Sequence, residues 1–459
     1  MLNYIWLGLV VLAVLIGGFE GRLKEVADKA FEMAEFSVLK TAFPLIGIMA
    51  LWLGVMRLAE RAGLVALLAR VLRPIMRRLF PGVPPEHPAM GSMLMNIAAN
   101  MLGLGNAATP LGLRAMKDLE SLNRHPGTAT NAMCTFLAIN TSGIQLIPVT
   151  AIAILAANKS ANPTAIVGTA IMATACAATG GVIMAKILER LRMFRLEPAP
   201  LPAPAPSDGE RVAARLGEGQ TPEAPASEKA PVKEAATLQP LSWWGTVIMA
   251  AFVLFFGWLF LRLAFPGLMG MEPSPAAANQ NLFVRIVDSV SKLSIPFLLS
   301  VFPLYAGLRR VKVYEEFVDG AKEGFDVAIR IVPYLVAMLV AIGMFRAAGG
   351  IDMISRVLAP VMNLVAFPTD LLPMVLMRPL SGSGTLGMFT ELVKYFGADS
   401  LIARTAGTIY GSTETTFYVL AVYFGSVGVK RTRHAVAAGL TADAVGVIAS
   451  VIICRIMFA

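Results

Sequence analysis

Apolar residues in this chain come in long runs, not in the short alternations of a water-soluble helix or strand. Seven windows approach or reach the roughly 20 apolar residues that carry a helix across a bilayer: Tyr4–Gly18, Leu39–Val55, Ala165–Ile187, Trp243–Leu263, Leu293–Leu308, Val327–Phe345 and Ala435–Ile456. Shorter apolar stretches between them are interrupted by glycine, asparagine, serine and threonine. The pattern predicts an all-α polytopic membrane protein in which several helices are broken at membrane depth.

The pattern also repeats. Ala62-Gly63, then Arg70, Val71, Leu72, Pro74 and Met76, return as Ala348-Gly349, then Arg356, Val357, Leu358, Pro360 and Met362; each pair is 286 positions apart, as 74 and 360 are. Phe80-Pro81 and Phe367-Pro368 follow with a shift of one. Helical spacing groups Leu67, Leu68, Val71, Ile75 and Met76 on one face and Arg70, Arg73 and Arg77 on another, which predicts an amphipathic helix lying in the membrane interface. Internal repeats are common in transporters, whose binding sites lie near mid-membrane between the repeats.

Composition sharpens the division. The chain is 56% hydrophobic and 15% charged with a mean hydropathy of +0.67, against roughly 25% charged residues in soluble domains. Residues 196–240 are the exception. They are rich in Pro, Ala and mixed charge, a composition that cannot bury enough apolar surface to fold alone, and predict a disordered linker. This gives a first membrane half (1–195), the linker (196–240), an extra transmembrane segment with its connector (241–284) and a second membrane half (285–459). The net charge of +9 does not signal nucleic acid, because the basic residues cluster at the ends of apolar windows. Arg70, Arg73, Arg77 and Arg78; Lys186, Arg190, Arg192 and Arg195; Arg309, Arg310 and Lys312; and Lys430, Arg431 and Arg433 fit flanks held in the cytoplasm. The linker follows one of these runs and is expected there too, with the chain in a bacterial inner membrane. Gly18-Phe19-Glu20 after the first window predicts an uncleaved anchor rather than a signal peptide. Cys134, Cys176 and Cys454 are expected to be small buried hydrophobes. His87, His125 and His434 lack ligand spacing, so no metal site is expected.

Candidate chemistry lies in the breaks. Gly103, Gly105 and Ala108, and again Gly382, Gly384 and Gly387, imitate the glycine pattern of a dinucleotide site, but no strand precedes either copy. A physical alternative is a helix broken at glycine, whose freed backbone groups need partners and which is tolerated where the break is packed or lines a wet cavity. Asn96, Asn100, Asn106 and Thr109 flank the first break, and Ser381, Ser383 and Thr385 the corresponding one in the second half. A second break follows in each half, at Asn140, Thr141, Ser142 and Gln145, and at Gly411, Ser412, Thr413, Glu414 and Thr415. Four breaks converging on one cavity would form a substrate site; close packing through small residues, with hydroxyls bonded to their own helices, is the alternative. Arg378 and Glu414 are charges at membrane depth, which cost at least ~2.5–3.5 kcal/mol each unless partnered or wet. They suit an anion-holding arginine and a carboxylate that binds a coupling H+ or Na+, or else an ion pair with each other or a snorkelling arginine.

With these segments in view, the chain resembles spore maturation proteins A and B joined end to end. His87 to Gly91, Asn100 to Gly112 and Phe136 to Ser142 carry the resemblance to A; Tyr314 to Gly324, Met377 to Gly382 and Gly411 to Leu420 carry that to B. That family holds the nucleoside-recognition, or gate, domain, which is similar to segments of concentrative nucleoside transporters and of the GTPase-linked ferrous iron transporter. The resemblance implies two gate domains in one chain, arranged as inverted repeats, and a link to spore-core dehydration. The iron analogy is weakened by breaks without Cys or His. The function expected is transport of a small polar or anionic solute, with no organic cofactor and no enzymatic activity. A membrane scaffold for envelope or spore-maturation factors is the first alternative, and an enzyme on a lipid-linked substrate the second. The expected partners are the lipid bilayer and the solute; a homo-oligomer is compatible with the sequence.

Overall fold

Within a bilayer only a helix or a closed barrel bonds all of its own backbone groups, and the apolar runs fold accordingly. A computed structural model describes residues 2–195, 240–269, 280–353, 356 and 367–458. The linker up to residue 239 and nearly all of the second Arg-Val-Leu-x-Pro-x-Met block lie outside the described residues, as does the side chain of Asn106. Among the described residues there is no strand, only an isolated bridge between Thr128 and Arg431.

The first half comprises α1 (Leu2–Phe19); α2 (Leu23–Glu35), which runs through a π-helical stretch into α3 (Phe43–Arg61); α4 (Leu64–Leu79); α5 (Pro88–Met101); α6 (Gly105–Glu120); α7 (Asn131–Thr141); α8 (Val149–Ala157) and α9 (Ile166–Leu188). After α10 (Trp243–Ala264) the second half repeats this order with α11 (Leu282–Leu308), α12 (Val313–Ala347), a helical start at 350–353, α13 (Leu372–Met377), α14 (Gly382–Phe396), α15 (Leu401–Ser412), α16 (Thr416–Gly425) and α17 (Ala435–Phe458). All seven apolar windows fall within helices.

Local signals recur in register. Gly63 and Gly349 close the turns after α3 and α12 with φ of +80° and +86°, a left-handed conformation that costs glycine no Cβ clash. Thr130 and Ser400 cap α7 and α15 by accepting from Met133 N and Ala403 N at 3.2 and 3.1 Å, relieving orphan donors at each helix start. These caps are 270 positions apart, so the offset has fallen by 16 since the glycines. About half of the loss lies where the fourteen-residue α5 is answered by the six-residue α13, and the rest where the connection from α14 to α15 is shorter than that from α6 to α7.

Equivalent helices of the two halves pack on each other. The two most extensive contacts are α9 on α17 and α3 on α12. Both pairs are antiparallel. Gly180 and Gly181 face Val445 and Ala442 while Gly446 faces Ala177; Arg57 meets Glu316 at 2.9 Å while Gly324 closes on Met49 and Ala50. Small residues let the backbones approach in this way. α15 also packs on α9 as α7 packs on α17, the reciprocity of a two-fold interface. An axis that relates antiparallel membrane helices lies in the membrane plane, so the halves are inverted repeats.

Helix lengths explain the chain path. α5 and α6 form a hairpin whose arms, at 1.5 Å per residue, are only about 21 and 24 Å long, so it dips into the membrane and returns. α7 and α8 together make one broken crossing. With α1, α2–α3 and α9 this is an even number of crossings, and the first half begins and ends at one face. α10 crosses once more and turns the second half over. Its apolar side chains, including Leu254, Trp243 and Trp244, remain exposed, as suits a span whose surroundings are lipid. Arg309 donates to Ala62 O at 2.7 Å and Arg433 to Phe194 O at 3.0 Å, so the basic clusters gather at one end of the bundle. Ser160 and Asp399, 2.7 Å apart, mark the opposite end.

Two expectations are corrected. Cys134 and Cys454 are buried, but Cys176 is exposed, because α9 packs one face on α17 and turns the other outward. α4 carries two apolar stripes rather than one: Met76 is buried and Leu68 is packed against the core, whereas Leu67, Val71 and Ile75 point outward.

Candidate functional site

The broken helices leave free backbone groups, and the breaks satisfy one another. Leu146 N donates to Met101 O at 2.9 Å, joining the two breaks of the first half. Phe417 N donates to Pro379 O at 3.0 Å, the corresponding bond in the second half. Glu414 N donates to Thr141 O at 2.9 Å across the pseudo-two-fold axis. Four breaks are thus tied in a row by main-chain bonds, which meets the demand that backbone groups be paired where lipid replaces water. Gly143, at φ +53°, lies so close that a β-carbon there would meet the Thr413 carbonyl at 2.9 Å. The side chain of Thr174 donates to the carbonyls of Ser142 and Gly143, both at 2.9 Å.

Beside this row lies a cavity of about 340 Å³, lined by Asn100, Gly103, Leu104, Thr109, Asn140, Gln145 and Thr150 from the first half and by Glu414, Tyr418, Val419 and Tyr423 from the second. α3 and α12 add Met49, Leu53, Met56, Arg57, Glu60, Glu323 and Val327. The cavity runs from the breaks towards the end of α3 that carries the basic clusters. Three of the four breaks line it; the fourth, Ser381 to Thr385, lies behind.

A hydrogen-bonded group forms one wall. Asn100 Nδ2 donates to Asn140 Oδ1 at 2.9 Å, which also accepts from the Tyr423 hydroxyl at 3.4 Å. Asn140 Nδ2 is held by Phe136 O at 2.9 Å. The buried Asn96 donates to Ala108 O at 2.8 Å and reaches the Tyr423 oxygen at 3.3 Å, outside the cavity lining. Gln145 Nε2 stands 3.5 Å from Glu414 Oε1. Glu414 is 38% exposed, so its carboxylate is available to an occupant.

Arg378 is 3% exposed and does not line the cavity. Its Nε donates to Thr413 Oγ1 at 3.0 Å, its Nη2 donates to the carbonyls of Tyr410 (3.0 Å) and Thr413, and its guanidinium lies 4.6 Å from the Tyr410 ring centre. Nη2 is 3.9 Å from Glu414 Oε2. The arginine fork therefore caps the broken end of α15 and anchors the backbone that presents Glu414.

Several other hydroxyls named from sequence bond locally. Thr141 returns to Ala138 O (3.0 Å), Ser142 to Ile139 O (2.6 Å) and Thr413 to Ile409 O (2.8 Å). Ser412 reaches Ser450 at 3.2 Å. Ser381 caps α14 through Gly384 N at 3.0 Å and lies 3.4 Å from the Ser383 hydroxyl, and Thr385 bonds Ser381 O at 2.6 Å. Gly411 lies against Pro148, and a β-carbon at Gly382 would meet Thr415 Oγ1 at 3.0 Å. Gly103 turns at φ +74° and α6 begins at Gly105.

Residues outside the four breaks also matter here. Arg57, Glu60, Glu323, Tyr418 and Tyr423 line the cavity. Asp443, buried in α17, accepts from Thr416 at 2.6 Å while its second oxygen has no partner among the described residues. Arg346 and Glu391 form a buried pair with one bond of 2.9 Å, under the Tyr395 ring. The cost of a charge in an apolar window, which flagged Arg378 and Glu414, points equally to Asp443 and Arg346.

The nucleoside-recognition gate model matches residues 42–190 and 328–430, the stretches that contain all four breaks. The chain belongs to the gate family. It is similar to two Bacillus subtilis (strain 168) proteins. Spore maturation protein B is 45% identical over 175 residues, which cover 38% of this chain and 98% of that protein. Spore maturation protein A is 44% identical over 184 residues, covering 40% of this chain and 93% of that protein. Matches of this kind are those of a fusion, with a gate domain in each membrane half. No solved structure matches the chain. The four breaks are thus parts of the gate domains, and the cavity lies where the two domains meet.

Proposed function

We propose that this gate-domain protein is a non-enzymatic transporter that carries a small polar solute through the cavity between its two gate domains. The observation that carries this reading is the position of Glu414: a carboxylate exposed in a 340 Å³ cavity, beside Gln145 and the Asn100–Asn140 pair, where inverted repeats meet. Three carboxylates, Glu60, Glu323 and Glu414, face one arginine among the lining groups. This acidic excess favours a neutral or cationic solute over the anion that Arg378 suggests from sequence alone. Glu414 is also the group best placed for a coupling H+ or Na+.

The opposite end supports alternating access. Residue 346 is the repeat equivalent of Glu60, and there Arg346 is paired with Glu391 and lies against the Tyr395 ring, with Lys394 on Glu32 at 2.6 Å, contacts that hold this end closed in the reading proposed here. One face open and its equivalent shut is the asymmetry expected of an inverted-repeat carrier caught in one state. The positive-inside tendency puts the basic end, and with it the linker 196–240, in the cytoplasm of a bacterial inner membrane, so the cavity opens inward. Mutual sealing of the breaks favours a second reading, a scaffold that carries nothing. A thermal-shift screen of purified protein with nucleosides, short peptides and dicarboxylates separates the two. A shift from a neutral or cationic compound that is lost in Glu414→Gln supports carriage; shifts from none of them support the scaffold.

A further inference from the structure

A second cavity, of about 290 Å³, lies at the basic end and is lined by His125, Thr128, Met193, Phe194, Arg195, Arg431 and Arg433. Three guanidinium groups, an imidazole and a hydroxyl converge on it, and among the described residues no carboxylate lines it. Both halves build it: the turn before α7 and the segment after α9 from the first, the turn before α17 from the second. The Thr128–Arg431 bridge fixes these turns to each other, with Lys430 N and Arg431 N on Gly127 O and Ala129 N on Arg431 O.

Among the described residues, positive charge here is held but not neutralised. Arg433 donates to Ala129 O at 2.9 Å, Asn131 Oδ1 at 2.8 Å and Phe194 O at 3.0 Å. These acceptors are all neutral. Glu189, a carboxylate that acts on Arg433 through space, is paired with Lys186 at 3.3 Å. Among the described residues Arg195 bonds only Arg190 O, at 3.3 Å, and neither Arg195 nor Arg431 has a carboxylate partner. Like charges around so small a space repel unless an anion lies between them, and guanidinium forks match phosphate oxygens in geometry. The surroundings add an apolar side: Met193 is 79% exposed at the cavity edge and Leu191 is exposed beside it, at the level where α9 leaves the apolar layer.

We infer that this cavity is a binding site for a phosphate-bearing anion, and that its occupant ties the two halves together at the end where the solute cavity opens. An anionic phospholipid headgroup and free phosphate share this chemistry; exposed apolar residues beside the arginines favour the lipid. The inference does not depend on transport.

The test uses the full chain, purified in detergent and stripped of lipid. Its thermal unfolding is followed with added phosphatidylglycerol, phosphatidylcholine or inorganic phosphate. The expected result is stabilisation by phosphatidylglycerol but not by phosphatidylcholine, with at least tenfold weaker apparent affinity in the double variant Arg195→Gln/Arg431→Gln. Both side chains lie at the surface, so this variant is expected to fold. Stabilisation by millimolar phosphate, lost in the same variant, assigns the site to a soluble phosphate instead and keeps the inference. Arg70→Gln/Arg73→Gln, in α4 at the same end, is expected to leave the response unchanged. No stabilisation by either anion overturns the inference, as does an equal loss in the α4 variant, which would mark a general response to surface charge.

Discussion

Replacing Arg378 with alanine separates a clamp from a ligand holder. The side chain supplies hydrogen bonds to Thr413 Oγ1 and to the carbonyls of Tyr410 and Thr413, and stacks on the Tyr410 ring. Its removal leaves two buried carbonyls without donors, at about 1–3 kcal/mol each, and forfeits a desolvated cation–π contact of about 2 kcal/mol. The pair with Glu414 adds little, since at 3.9 Å and with Glu414 38% exposed it belongs among screened pairs worth about 0–1 kcal/mol. Water entering the space recovers part of the loss, so a net destabilisation of about 3–5 kcal/mol is expected. Arg378→Lys keeps the charge without the fork and should fall between. Reversible unfolding in mixed micelles with dodecyl sulfate measures the difference. The reasoning is refuted if Arg378→Ala unfolds within about 1 kcal/mol of the parent, a surface-like effect, while losing solute binding.

Other substitutions test other links. Glu414→Gln retains the hydrogen-bonding shape and should unfold like the parent, yet lose at least tenfold in solute uptake by proteoliposomes; full uptake would remove Glu414 from the site. Gly143→Val puts a branched side chain at a left-handed residue whose β-carbon meets the Thr413 carbonyl at 2.9 Å, so it should cost several kcal/mol or prevent folding; an expressed variant with an unchanged melting temperature contradicts the meeting of the breaks. His434, enclosed at the basic end before α17, is held neutral down to about pH 4 by burial and then by Arg433 and Lys186. Its depressed folded value makes its contribution complete above the unfolded value near 6.5 and lost as pH falls towards 4. His434→Gln should therefore flatten the loss of thermal stability between pH 6.5 and 4, and a slope identical to the parent's refutes the assignment.

The spans, the repeat and the position of the breaks were legible because each is a local property. A run of apolar residues, an Ala-Gly followed by Arg-Val-Leu-x-Pro-x-Met, or glycines amid hydroxyls can be read within a few turns of chain. The partners of the breaks were not, because Glu414 N and Thr141 O are 273 positions apart and meet only through a two-fold axis that spacing does not reveal. The same holds for Arg378, whose charge was visible but whose acceptors are carbonyls, and carbonyls leave no mark in a sequence. Asp443 and the Arg346–Glu391 pair could have been found, since each sets a charge in or beside an apolar window. α10 was legible as an extra span, and its role follows from counting crossings: an even number in each half needs one more to invert the second.

The central claim is that inverted gate domains enclose a cavity open to one face and shut to the other. Side-specific labelling tests it most directly. Gln145→Cys, in a variant with the three native cysteines replaced, is treated with a membrane-impermeant thiol reagent from each face of oriented vesicles. Labelling from the basic face alone is expected, with labelling from the opposite face gained when Glu391→Gln loosens the Arg346 pair. Protection from both faces in both backgrounds would contradict the account and leave the four breaks enclosing only one another.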